Sequence, residues 1–153
     1  MNLNVKKLAQ PVIIVGLLLG SPLTTAEAYT PFAENLPARL VAVKSASVIS
    51  VEAQTWPGFT RTFDISLAGI EVPQDTPAAG PCERKLAKQA LAFVQDSLAN
   101  AEVIEIKGMK MENSAQQNAE GDIGTSQGSL SQALVSKGLA RPDSIDSAKS
   151  WCE

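Results

Sequence analysis

The spacing of apolar residues changes twice along this chain, and that change limits the fold more than any single motif does. In "ARLVAVKSASVISV" (38–51) and "TRTFDISLAGI" (60–70) apolar and polar residues alternate, so both read as strand. Phe63, Ile65 and Leu67 then share one face and Asp64 and Ser66 the other. The first stretch divides into a strand pair near Ser45-Ala46-Ser47, and "TWPGF" (55–59) is a turn built on Pro57 and Gly58. Over residues 82–100 the period becomes helical: Leu86, Ala90, Phe93, Val94 and Leu98 fall on one side, with Glu83, Arg84, Lys85, Lys88, Gln89 and Asp96 on the other. "EVIEIKG" (102–108) returns to a period of two.

The Asn/Gln-rich stretch 109–121 carries no period and reads as a mobile loop, followed by a short extended piece at 122–125. Ser129 is placed to cap a helix over 130–137, which Gly138 ends, and the tail 141–153 is irregular up to Trp151-Cys152. Strands, a helix, a strand, a loop and a second helix predict an α+β domain: a small barrel or curled sheet with helices against it.

Lys6 and Lys7 precede an apolar run at 8–20, and Ala26-Glu27-Ala28 offers small residues at a cleavage site. This is the pattern of a secretory signal peptide over 1–28, too short in its apolar part to span a bilayer. Residues 29–153 then form one domain in an exported protein, periplasmic or extracellular. Of 13 basic and 16 acidic residues the leader takes Lys6, Lys7 and Glu27, which leaves a net charge of −4. An acidic domain with no basic run longer than Arg84-Lys85 is poorly suited to a phosphate backbone. The two cysteines, Cys82 and Cys152, are expected to form a disulfide in an oxidising compartment. Metal ligation by the two thiolates is the weaker alternative, since the chain has no histidine and no CxxC spacing. The missing histidine also excludes a Ser-His-Asp triad.

Several strings, in order and spacing, resemble the exported bacterial branch of the staphylococcal nuclease (thermonuclease) family. They are Trp56-Pro57-Gly58, the strand end from Leu67 to Ile70 with Pro73 after it, Cys82 opening the long helix, "ALVSKGLARP" (133–142) and "SWC" (150–152). The resemblance covers about residues 38–152 and implies a five-stranded OB barrel with packed helices. It also implies a place for each catalytic group. Calcium-binding aspartates would fall on Ser47 and Glu71, the neighbouring threonine on Val72, the water-activating glutamate on Gln74, and the two phosphate-gripping arginines on Ser66 and Asn118. Only Glu71 keeps a carboxylate.

An amide at Gln74 cannot accept a proton from water, Val72 offers no oxygen ligand, and neither guanidinium is present. The resemblance therefore implies a scaffold emptied of its hydrolytic groups and reused for binding a protein or an envelope component, without a cofactor. The groove around Asp64, Ser66, Glu71 and Gln74 is the expected binding place. The alternative is a calcium-dependent phosphodiesterase with a weak or relocated site, in which Asp64, Glu71 and Asp75 gather as an acidic cluster. Arg61 falls on the opposite strand face from Ser66. Trp56 and Phe59 are expected to fold back on the sheet, and Trp151 to pack over the disulfide.

Overall fold

The computed structural model describes residues 35–144 and 150–152; the expected leader and tail residues 145–149 lie outside them. Strand β1 (Leu36–Val43) pairs antiparallel with β2 (Val48–Trp56), which turns back as β3 (Phe59–Leu67). A two-residue β4 (Ile70–Glu71) leads to the long helix α1 (Pro81–Ala99), then β5 (Ile104–Lys110) and β6 (Asn118–Thr125). A short β7 (Gly128–Ser129), helix α2 (Leu130–Ser136) and β8 (Arg141–Pro142) complete the described chain.

β1 uses its second edge for β5, β5 pairs antiparallel with β6, and β6 closes the circle by running parallel to β3. The five long strands thus form a closed barrel in the order β1-β2-β3-β6-β5, with a helix inserted between the third and fourth barrel strands. That is the OB topology the resemblance implies.

The alternation seen in the sequence fills the barrel. Ile49, Val51, Phe63, Ile65, Ile106 and Ile123 point inward and are almost fully buried. Ala90, Val94 and Leu98 from α1 and Leu130 and Leu134 from α2 join the same cluster. Pro81 sits at the start of α1, where its missing N–H is no loss. Ser129 Oγ accepts from the Gln132 N–H at 3.1 Å, the expected cap of α2. At the other end Gly138 adopts φ +68, and the Leu139 and Gly138 N–H groups bond to the Leu134 and Val135 carbonyls, a Schellman closure.

The structure corrects the sequence reading of the fold in two places. Of residues 109–121 only 112–117 form a connection; Gly108 at φ +59 forms a bulge that lets β5 continue to Lys110 and turns Met109 and Met111 into the core, and β6 begins at Asn118. Residues 118–121 pair with 64–67 of β3, a partner too distant in sequence to leave a local periodic signal.

The hairpin aromatics do not fold back: Trp56 is 70% and Phe59 67% exposed. Pairing of β2 with β1 ends at Ala53, and pairing of β3 with β6 begins only at Asp64, so no sheet lies alongside to receive the rings. The ring of Trp151 stacks on the Arg141 guanidinium at 4.3 Å. Cys82 and Cys152 are joined, as expected, across 70 residues of chain.

Candidate binding groove

Parallel pairing of β3 with β6 sets Asp64 beside Asn118 and Ser66 beside Glu120. Where these strands meet the β5–β6 connection, a groove of about 660 Å³ opens, lined among others by Ser66, Lys110, Glu112, Gln116, Asn118 and Glu120. Ser66 and Asn118, the two positions at which the resemblance places guanidinium groups, therefore line one groove although 52 residues separate them. Ser66, Gln116, Gln117 and Asn118 give the wall hydroxyl and amide groups, with one lysine against two glutamates. A phosphate entering it would meet a single cation.

Arg61 holds one rim from below. It lies on the inward-facing side of β3, 5.0 Å above the Phe63 ring, as strand parity requires. Its guanidinium donates to the Ser114 carbonyl at 2.8 Å and the Gln116 carbonyl at 2.9 Å, tying down the connection that borders the groove. This arginine is engaged with backbone carbonyls of its own chain.

Glu71 and Gln74, expected in the same groove as Ser66, are not part of its lining. β4 pairs with β8, which brings Glu71 opposite Arg141. Glu71 Oε2 accepts from Arg141 Nε at 2.9 Å and lies 2.8 Å from Nη2, while Trp151 covers the guanidinium plane. The Glu71 carboxylate is thus bound to a cation of its own chain, 11% exposed at the arginine and 35% at the glutamate.

Val72 is buried in the core. The Gln74 side chain folds back and donates to the Val72 carbonyl at 3.0 Å, while its backbone N–H donates to Glu83 Oε1 of α1 at 3.0 Å. Ser47 sits in a tight serine turn: Ser45 Oγ accepts from the N–H groups of Ser47 and Val48, and the Ser47 carbonyl accepts from the Leu67 N–H.

Asp64 forms an ion pair with Lys44. The hydrogen bond from Lys44 holds its carboxyl below the usual carboxylate range, aided by the Ser50 hydroxyl and the lysine charge and opposed by partial burial. With Asp64 on Lys44 and Glu71 on Arg141, the acidic cluster expected from Asp64, Glu71 and Asp75 is not assembled. Among the described residues no group of three His, Cys, Asp or Glu side chains is arranged to hold a metal ion.

Sequence reasoning missed Arg141, Lys44 and Lys110. Arg141 lay within "ALVSKGLARP", yet its partner stands 70 positions earlier, and nothing local marks the pair. Compared with known proteins, the chain matches no family model and no curated protein.

Proposed function

We propose that this chain is an exported OB-fold binding module, built on the nuclease-type scaffold it resembles and no longer equipped to cleave phosphodiesters. One observation carries the reading: Ser66 and Asn118 line a single groove at the positions where two guanidinium groups would grip a phosphate. A hydroxyl and an amide there leave a transferring phosphoryl without the charge stabilisation that phosphoryl transfer depends on. The occupied state of Glu71 points the same way, because a metal would have to compete with Arg141 for it.

The groove's amide-rich, slightly acidic wall suits a polar segment of a protein or an envelope component better than a polyanion. The Cys82–Cys152 disulfide suits a non-reducing compartment and is compatible with export.

The test is to incubate oxidised protein beginning at Tyr29 with labelled single-stranded DNA and RNA, with and without Ca²⁺, measuring retention and cleavage. Neither is expected. Calcium-stimulated cleavage that disappears in Glu71→Ala would overturn the proposal in favour of a metal-dependent phosphodiesterase. Cleavage unchanged in Glu71→Ala would place any activity away from the inherited site and equally contradict the binding-module reading once contaminating nuclease is excluded.

A further inference from the structure

We propose that the β2–β3 hairpin is a membrane-interface anchor that seats its tip among the headgroups of a phospholipid bilayer. The inference is independent of the groove, which is lined by other residues. Beyond Ala53 on one edge and before Asp64 on the other, the two strands pair only with each other, so residues 54–60 stand out from the barrel as a two-stranded arm. Pro57 and Gly58, the latter at φ +82, close the turn. Trp56 and Phe59 are partners across it, so both rings lie on one face, 70% and 67% exposed. No ionisable side chain occurs between Glu52 and Arg61.

The occupant follows from area and cavity. Two rings bury about 150–250 Å² each, well short of the roughly 800 Å² per partner that a stable protein interface or a second copy of the chain needs. The hollow beside Trp56, lined by Gln54, Thr55 and Pro57, measures about 280 Å³, under the ~300 Å³ at which enclosed small-ligand sites begin. A bilayer interface requires neither area nor cavity, and it favours uncharged tips with aromatic rings. The described chain also enters the barrel at this end: Ala38 stands opposite Ala53, so Leu36 lies toward the arm.

All described strands, helices and the disulfide fall within residues 35–152, so protein beginning at Tyr29 retains every contact among the described residues without the leader's own affinity for lipid. That protein should co-sediment with phosphatidylcholine vesicles, with a blue shift of tryptophan emission. Binding should change little between low and high salt, since no charge is involved. Trp56→Ser/Phe59→Ser should lose about tenfold or more of the partitioning and the emission shift while keeping its melting temperature, because neither ring is buried. The proposal fails if the protein ignores vesicles, or if the double variant binds them as well as the parent. It fails equally if the arm instead drives concentration-dependent dimerisation or binds dextran or another neutral polysaccharide in place of lipid.

Discussion

Replacing both cysteines, as Cys82→Ser/Cys152→Ser, tests how the end of the chain is held. With the two cysteines 70 positions apart, the chain-entropy treatment of a closed loop gives about 4 kcal/mol of stabilisation, acting through the unfolded ensemble. For a domain of this size that corresponds to a fall of roughly 12–20 °C in melting temperature. The native state adds a second consequence, because Cys152 fixes Trp151 against the Arg141 guanidinium at 4.3 Å. In the bonded protein Trp151→Ala should cost about 1–2 kcal/mol through the lost cation–π contact and the packing of the arginine stem. Without the disulfide the tail is free to leave, so the same substitution should cost less than half as much. Urea unfolding of the four proteins, with midpoints and slopes compared as a double-mutant cycle, measures both numbers. A loss below about 1 kcal/mol for the serine pair would refute the entropic account. Strictly additive costs would show that the tail is held by its own contacts and that the bridge adds no positioning.

Two further outcomes follow from particular contacts. Asp64 has a folded pKa below its ordinary 3.8, so its ion pair with Lys44 contributes stability that is fully present above that value and disappears as pH falls through the lower folded one. Wild type and Asp64→Asn should therefore differ by a constant amount at neutral pH and converge in acid; a gap that widens in acid would contradict the assignment. Gly121→Ala places a Cβ 3.0 Å from the Lys107 carbonyl oxygen and 3.5 Å from Met109 Cα, both backbone atoms. Neither can swing aside, and a loss of about 1–3 kcal/mol in urea unfolding is expected. An unchanged midpoint would mean that β5 and β6 separate more easily than their pairing indicates.

The long helix was legible because its signal is local: Ala90, Val94 and Leu98 recur at helical spacing and are buried together. Ser129 and Gly138 likewise act within one turn of the helix they bound. The inward faces of β2 and β3 were legible for the same reason, since alternation in a strand states which side is apolar. The residue types at the positions named from the resemblance were also readable, since the identity of Val72, Gln74, Ser66 and Asn118 is a fact of sequence. Whether two of them would meet was not, because their meeting depends on β3 pairing with β6.

What the chain alone determined, then, is the type and polarity of its strongly periodic elements and the residue types at the positions named from the resemblance. Tertiary structure decided that the ends of 109–121 belong to strands with Met109 and Met111 inside, that Glu71 is taken by Arg141, and that Trp56 and Phe59 stand in the open. These outcomes depend on partners absent from the local sequence: a parallel strand more than fifty residues away, an arginine seventy residues on, and an edge at Ala53 beyond which β1 no longer accompanies β2. Periodicity reports which face of an element is apolar. Only closure of the barrel decides which faces are covered, which charges find each other, and which rings are left in water.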